Sequence, residues 1–314
     1  MTEPQPLIVR LHNWIGDVVV GLPALQLLAG HGVPLQLVGR GWAASLLAGH
    51  GWPVHSLPKG LRPRVTLWRR LRPAQGDGIQ ALLLATSFSA ALECRLAGVR
   101  AMGYGTDHRR WLLARAVTRP ADPNAGHALE AYWRLACLFL GINTAPPADI
   151  GLRVAPAAIA QATALLAAQG VTGGYVMLCP FATGTMNGLS KSWPGFPALA
   201  ASLASDGLLV LLCPGPGEEA PARRDFPQAI VLEGVPLGTY AALLQGARLV
   251  VANDTGPGHI AAAVGAPLIS VLGPTNAAVW VPWGRQVQVA QNISATDGWP
   301  TVTEVLGLIR VLPN

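Results

Sequence analysis

Charged residues are scarce in this sequence of 314 residues. Only 12% of the residues are Asp, Glu, Lys or Arg, and just two are lysines, Lys59 and Lys191. By contrast, 51% are hydrophobic, and the chain contains 36 Gly and 27 Pro. Disordered chains combine low hydrophobicity with high net charge, so this composition excludes a disordered protein and predicts a compact, turn-rich one.

Long apolar runs and paired cysteines are also missing. No run reaches the roughly 18 apolar residues that a membrane-spanning helix needs, and the start, MTEPQPLIVRLHN, has no signal-peptide layout. The four cysteines are widely spaced and form no C-x-x-C pair, so neither a disulfide framework nor a zinc site is expected. A cytoplasmic enzyme with buried thiols is the expectation.

The net charge of +6 is unevenly distributed. Residues 1–155 hold 15 Arg and one Lys against eight acids, a balance of +8, whereas residues 156–314 hold five Arg and one Lys against eight acids, a balance of −2. Such a bias predicts an anionic partner for the first half, either nucleic acid, lipid headgroups or a phosphorylated substrate. An Arg-rich solvated surface is the plain alternative.

Strand and helix patterns alternate along the whole chain. Apolar runs of strand length precede helical patterns in both halves, with strands predicted at 7–11, 34–38, 54–57, 79–85, 175–179, 208–213, 230–233, 249–252 and 268–272. Residues 143–149 have the composition of an interdomain linker. We therefore predict an α/β fold of two Rossmann-like doubly wound domains, 1–150 and 151–314, facing each other across a cleft. The final helix would be able to pack back on the first domain.

The first loop, HNWIGD, joins a strand to a predicted helix over 18–28. It has one Gly before the helix and no G-x-G-x-x-G, which argues against a dinucleotide-binding dehydrogenase. Asp17 lies at the helix start, where a carboxylate complements the helix dipole. As a functional residue, Asp17 would take the proton from a hydroxyl that attacks the anomeric carbon of a sugar.

Residues 249–275, LVVANDTGPGHIAAAVGAPLISVLGPT, read as strand, tight turn, short helix and strand. A helix N-terminus offers unpaired N–H groups and partial positive charge, so this turn would hold a diphosphate. Thr255 and Gly256 open the helix, Asp254 or Thr255 would cap it, and His259 would add a donor. An ordinary capped connection is the alternative.

Two further predicted strand ends of the second half carry polar groups. Lys191 ends a Gly- and Thr-rich loop, where it would bind phosphate as a point charge. Ser192 would cap a helix that begins near Pro194. Glu218 follows a strand and a Pro-Gly turn, a position that suits hydrogen bonds from a ribose diol. Both charges are also compatible with solvated loop positions.

The segment 59–73, KGLRPRVTLWRRLRP, contains five Arg and one Trp in fifteen residues. A helix of this composition would lie on a membrane surface or face an acidic acceptor. Equally, it would be an exposed helix that covers Trp68 with its long side chains.

Several of these motifs resemble glycosyltransferase family 9, the lipopolysaccharide heptosyltransferases. DTGPGH followed by AAAVGAP and GPT is similar to the family's C-terminal signature, and NWIGDVVVGLPAL to its N-terminal motif. SKSWP is similar to its K-x-W-P element, and PGPGEE to its G-x-x-x-E element with one residue fewer in the turn. NWIGD and TSFSAAL look more like the enzymes that add a second heptose.

The resemblance implies the GT-B architecture and an inverting, metal-independent transfer from ADP-L-glycero-β-D-manno-heptose to a lipopolysaccharide inner-core acceptor, with no cofactor. It implies that Asp17 is the general base and that the nucleotide-sugar is bound by Thr183, Lys191, Glu218, Asp254, Thr255, Gly256 and His259. Candidates for acceptor binding are Asn13, Trp14, Ser87 and Arg109. The implied partner is an anionic lipid-linked oligosaccharide, met by peripheral association with the cytoplasmic face of the inner membrane.

Two alternatives stay open at this point. One is another sugar-nucleotide enzyme of the same architecture, such as an epimerase or a family member with a different donor sugar. The other is a non-catalytic protein that binds nucleotides or nucleic acid. Nucleic acid fits less well, because the chain has no basic-aromatic recognition motif of the known kinds.

Overall fold

The computed structural model describes residues 5–73, 78–119, 126–182, 185–186, 189–273, 276–295 and 298–311. The chain divides into two compact units, Met1–Pro147 and Ala148–Asn314. The boundary lies inside the linker-like segment 143–149 and three residues before the predicted one.

The first unit is built on one parallel sheet. Its strands are β1 (Leu7–Arg10), β2 (Leu35–Gly39), β3 (Val54–Ser56), β4 (Ala81–Leu83), β5 (Ala101–Tyr104) and β6 (Arg115–Val117). Its helices are α1 (Ile15–Val20), α2 (Leu22–Gly30), α3 (Trp42–Leu46), α4 (Leu61–Leu71), α5 (Phe88–Ala97) and α6 (Ala128–Leu140), with 3-10 turns at Ala48–His50 and Arg110–Leu112. The strand order is β3-β2-β1-β4-β5-β6, so loops after β1, β4 and β5 share one edge of the sheet.

The second unit repeats this arrangement. Its strands are β7 (Tyr175–Cys179), the short antiparallel pair β8 (Thr185–Met186) and β9 (Leu189–Ser190), β10 (Leu209–Leu212), β11 (Ile230–Val231), β12 (Leu249–Asn253), β13 (Leu268–Val271) and β14 (Val287–Ala290). Its helices are α7 (Pro156–Ala168), α8 (Phe196–Ser205), α9 (Glu219–Asp225), α10 (Leu237–Gln245), α11 (Gly256–Ala263), α12 (Ala277–Trp280) and α13 (Val302–Val311). The main sheet is parallel with the order β11-β10-β7-β12-β13-β14.

The predicted α/β class with two doubly wound sheets is confirmed. Five strands are absent from the predicted set: β5, the short pair β8 and β9, and the outer strands β6 and β14. The outer strands are short, and both contain exposed or half-buried positions. They therefore lack the continuous apolar run that marks a strand buried on both faces.

Two predicted helix positions were wrong. The helix predicted over 18–28 is split at Gly21 into α1 and α2, because Pro23 in the first turn of α2 has no N–H to continue α1. Ser192 does not cap α8, which begins at Phe196 after Gly195.

The last helix, α13, packs on the second unit's own core. Its Val305 is fully buried there, and Leu306 and Ile309 pack against the same cluster.

Among the described residues, no helix is long and apolar enough to cross a bilayer. All four cysteines are free thiols, as predicted. Three of them are buried as expected, whereas Cys213 is half-buried.

A buried acid lies beneath α4 in the first unit. Glu93 is 1% exposed. Its Oε1 accepts from Arg64 Nη1 at 3.0 Å and its Oε2 from Trp68 Nε1 at 3.3 Å. Arg10 is buried as well, and burial lowers the pKa of its guanidinium to about 10, an effect that the negative charge of Glu93 opposes. Glu93 therefore compensates positive charge that is buried in the first unit. Trp68 is fully buried, in agreement with the alternative that segment 59–73 is an exposed helix covering this side chain.

We predict that Glu93→Ala destabilises the first unit by about 3–5 kcal/mol, because removing one partner of a buried ion pair leaves an uncompensated charge. Urea unfolding followed by tryptophan fluorescence would measure the loss. Asp225→Ala is the control, since it breaks the exposed pair that Arg224 and Asp225 form. Equal unfolding midpoints for Glu93→Ala and wild type would contradict the role assigned to Glu93.

Candidate functional site

Three of the predicted donor-site residues meet at the carboxyl end of β12. Lys191 Nζ lies 2.7 Å from Asp254 Oδ2, and His259 Nε2 lies 3.9 Å from Asp254 Oδ1. Asp254 and His259 are buried, and Lys191 is half-buried. The side chain of Lys191 is therefore an ion-pair partner in this state, rather than the solitary point charge that the sequence analysis expected.

The helix α11 begins beside this cluster. Gly256 is its first residue and Thr255 is its N-cap residue. Thr255 does not cap the helix with its side chain, because its hydroxyl lies 3.4 Å from the carbonyl oxygen of Asn253. A Cβ atom on Gly258 would lie 3.1 Å from that same oxygen, a tight contact that the glycine avoids where α11 starts close to β12. The helix start presents first-turn N–H groups, as an anion site requires.

Asn253 links three segments of the site and was not predicted from the sequence. Its side chain is fully buried. Its Nδ2 donates to the carbonyl oxygen of Pro180 at 2.6 Å, and its Oδ1 accepts from the backbone N–H of Trp193 at 3.0 Å. The amide thereby fixes the end of β7 and the segment that carries Lys191 against the end of β12.

Glu218 follows β10, which is separated from β12 by β7 in the sheet. Its Oε2 accepts from the backbone N–H of Gly215 at 2.7 Å, which folds the turn back on itself. Glu218 also lines a small cleft together with Pro180, Phe181 and Pro257. Pro257 belongs to the first turn of α11, so this cleft places Glu218 beside the helix start.

Asp17 lies in the first turn of α1 in the first unit and is held by two other side chains. Tyr132, on α6, donates its hydroxyl to Asp17 Oδ1 at 2.8 Å. His12 Nδ1 lies 3.4 Å from Asp17 Oδ2. Burial lowers the pKa of His12 below its usual value, although the charge of Asp17 acts in the opposite direction, so the imidazole is neutral at pH 7. Burial, together with the charge of Asp17, raises the pKa of Tyr132 well above 10, and the phenol remains a donor.

The four candidates for acceptor binding fall into two groups. Asn13 and Trp14 share the turn with Asp17; Asn13 Oδ1 accepts from Arg10 at 2.9 Å, and Trp14 is 65% exposed. Arg109 is fully buried and donates to the carbonyl oxygens of Tyr104, Ala85 and Ser87. It holds the ends of β4 and β5 together, so in this conformation its charge does not reach a ligand.

Thr183 lies outside the described residues. Among the residues that the structure describes, no three His, Cys, Asp or Glu side chains form a group able to hold a metal ion.

Two units with the same strand order, each with polar side chains at the carboxyl edge of its sheet, define the GT-B class of fold. Solved structures agree. Over 97% of both chains, the fold is similar to E. coli ADP-heptose lps heptosyltransferase II, with a TM-score of 0.78 and 22% identity. It is also similar to E. coli heptosyltransferase WaaC with ADP, with a TM-score of 0.75 and 22% identity over 97% of this chain and 99% of that one.

Residues 64–300, three quarters of the chain, match the model of glycosyltransferase family 9 (heptosyltransferase). The chain therefore belongs to glycosyltransferase family 9, and the resemblance is confirmed. Asp17 lies before the matched range.

Curated relatives match over shorter stretches. The chain is 33% identical over 128 residues to lipopolysaccharide heptosyltransferase 3 of Escherichia coli, which is 38% of this chain and 36% of the relative. It is 47% identical over 57 residues to lipopolysaccharide heptosyltransferase 1 of Pseudomonas aeruginosa, 18% of this chain and 16% of the relative. These alignments span well under half of each relative, and the assignment to the type that adds a second heptose stays a prediction.

We predict that Asn253→Ala destabilises the second unit, because it leaves the carbonyl of Pro180 and the N–H of Trp193 buried without their partner. The expected cost is about 1–3 kcal/mol for each group left unsatisfied. Differential scanning calorimetry would show the loss. Asn276→Ala is the matched control, since Asn276 caps the short helix α12 from an exposed position. A melting temperature as high as that of the control would show that the hydrogen bonds of the Asn253 amide do not stabilise the second unit.

Proposed function

We propose that this chain is an inverting glycosyltransferase that transfers heptose from ADP-L-glycero-β-D-manno-heptose to a lipopolysaccharide inner-core acceptor. Family membership supports heptose transfer, and the curated relatives carry lipopolysaccharide heptosyltransferase names. The observation that carries the proposal is the cluster of Lys191, Asp254 and His259 at the start of α11. A helix N-terminus with a lysine and a histidine beside it suits a diphosphate leaving group.

In this proposal the second unit binds the donor. The diphosphate accepts hydrogen bonds from the first-turn N–H groups of α11, while Lys191 stabilises the negative charge that grows as the glycosidic oxygen departs. Before the donor binds, Asp254 balances the charge of Lys191 and fixes the position of its ammonium group. Glu218 accepts a hydrogen bond from the ribose, since a carboxylate that already accepts one backbone N–H has lone pairs left.

The first unit supplies the base. The Asp17 carboxylate takes the proton from an acceptor hydroxyl while that oxygen forms a bond to the anomeric carbon. The bond from this carbon to the diphosphate oxygen breaks in the same step, and ADP leaves with the electron pair. Attack from the face opposite to the leaving group inverts the anomeric configuration.

Tyr132 is the positioning residue for that carboxylate. Its hydroxyl holds Asp17 Oδ1, which fixes the rotation of the carboxylate and leaves the other oxygen, next to His12, for the acceptor proton. The phenol is buried and comes from α6, which packs against α2, so it restrains Asp17 without needing to touch substrate.

The proposed acceptor is an anionic, lipid-linked core oligosaccharide, and the enzyme acts at the cytoplasmic face of the inner membrane. The charge on the leaving diphosphate is met by protein groups, so the transfer needs no metal and its rate in EDTA equals the rate in Mg²⁺.

We predict that Asp17→Asn lowers kcat by about 10²–10⁴-fold, because the amide cannot accept the proton, while ADP binds as tightly as to wild type. Lys191→Gln lowers kcat by about 10²-fold through the loss of charge stabilisation. The measurement is transfer from ADP-heptose to a heptose-deficient core acceptor, with ADP binding followed by calorimetry. Lys59→Gln, at the only other lysine, is the matched control and retains wild-type turnover. An Asp17→Asn variant as active as wild type would contradict the assignment of Asp17 as the general base.

We predict that Tyr132→Phe lowers kcat about 10- to 100-fold, the equivalent of one hydrogen bond to a charged group, with the KM for the donor unchanged. Tyr104→Phe is the matched control. Tyr104 also donates a hydrogen bond to α6, but to the backbone carbonyl of Ala131 at 2.8 Å. Both variants lose similar thermal stability, and only Tyr132→Phe loses turnover. If the two variants lose turnover equally, the role of Tyr132 is structural.

A further inference from the structure

We propose that the outer surface of α4 and α5 docks the protein on a bilayer that contains anionic phospholipid. This α4–α5 surface consists of Leu61, Arg62, Arg69, Arg70, Arg95 and Leu96. It deepens the proposed function, on which its biological sense rests, because a lipid-linked acceptor lies in a membrane.

The basic side chains of α4 share one side of the helix. Arg62, Arg69 and Arg70 are exposed, whereas Leu67 and Trp68 on the other side are buried. Positions separated by seven or eight residues return to the same face of an α-helix. The helix α5 lies alongside, as Arg69 donates to the carbonyl oxygen of its Leu96 at 3.1 Å, and Arg95 adds a further exposed cation.

Among the described residues, Arg62, Arg69, Arg70 and Arg95 form no ion pair with an acid. Glu93 is the one acid described between residues 58 and 100, and it is buried against Arg64 and Trp68. The surface therefore carries a net positive potential, which a structural role in the first unit does not require. A partner that contacts the arginines of both helices at once must be an extended surface with many negative charges.

The helices α4 and α5 carry three of the first unit's exposed large apolar side chains. Five such residues are exposed in its described part: Trp14, Leu61, Phe88, Leu96 and Trp111. Leu61 and Leu96 belong to the α4–α5 surface itself, each 46% exposed. Phe88 begins α5, and its ring centroid lies 6.3 Å from that of Trp111, which is 70% exposed. Arginines beside exposed leucines fit the interface of a bilayer.

The combination of exposed arginines and exposed leucines favours an anionic bilayer over nucleic acid as the partner. Basic residues near an anionic leaflet gain from its surface potential, and leucines gain only where a hydrocarbon layer receives them. Single-stranded nucleic acid is bound by basic grooves with stacked aromatic platforms. Here, the rings of Phe88 and Trp111 are tilted by 58° to each other and form no stacked pair.

Co-sedimentation of the full chain with lipid vesicles tests the proposal. Wild type is expected to bind vesicles of phosphatidylglycerol and phosphatidylcholine, and not vesicles of phosphatidylcholine alone. Arg62→Glu/Arg70→Glu is expected to weaken that binding at least tenfold. Arg224→Glu/Arg285→Glu, which changes the net charge equally in the second unit, is the matched control and binds as wild type does. Unchanged thermal stabilisation by ADP shows that each variant is folded.

Other outcomes would overturn the proposal. They are no binding to anionic vesicles, equal weakening by the control pair, or tighter binding to single-stranded DNA than to the vesicles at the same salt concentration. Leu61→Ser/Leu96→Ser separates the electrostatic contribution of the arginines from the apolar contribution of the leucines. This variant is expected to keep the salt-sensitive part of vesicle binding and to lose the part that persists at high salt. A failure of heptose transfer with intact vesicle binding would overturn the proposed function and leave the docking surface standing.

Discussion

The buried amide of Asn253 is the interaction on which the candidate donor site depends. It donates to one loop and accepts from another, and so it sets the distance between the ends of β7 and β12 and the segment around Trp193. Lys191 precedes Trp193 by two residues, and Asp254 follows Asn253 directly. The 2.7 Å contact between Lys191 and Asp254 is therefore a consequence of this bridge, and a flexible lysine is held at a fixed place beside a helix start.

The two units share a strand order but present opposite chemistry at their sheet edges. The first holds a carboxylate between a phenol and a neutral imidazole, which suits the removal of a proton. The second holds a lysine and a histidine beside the start of a helix, which suits an anion. In the proposed function, the first unit provides the base for the attacking hydroxyl and the second provides positive charge for the departing diphosphate.

Much of the fold was predictable, because parallel strands buried on both faces leave continuous apolar runs and Gly or Pro punctuates the ends of helices. The turn before α11 was predictable because its signal is local, a strand followed by small polar residues and glycine. The supporting contacts were not. Tyr132 reaches Asp17 across 115 residues and Asn253 reaches Pro180 across 73, so no local pattern marks either partner. Arg109 reads as a surface cation in the sequence, yet three backbone carbonyls draw it into the interior.

Amide hydrogen exchange with and without ADP is the most direct test of the central claim that the donor diphosphate binds at the start of α11. We expect ADP to slow exchange in residues 254–260 and in the segments around Lys191 and Glu218, since these groups would order around the ligand. Slower exchange confined to other parts of the chain, with residues 254–260 unaffected at saturating ADP, would contradict the account.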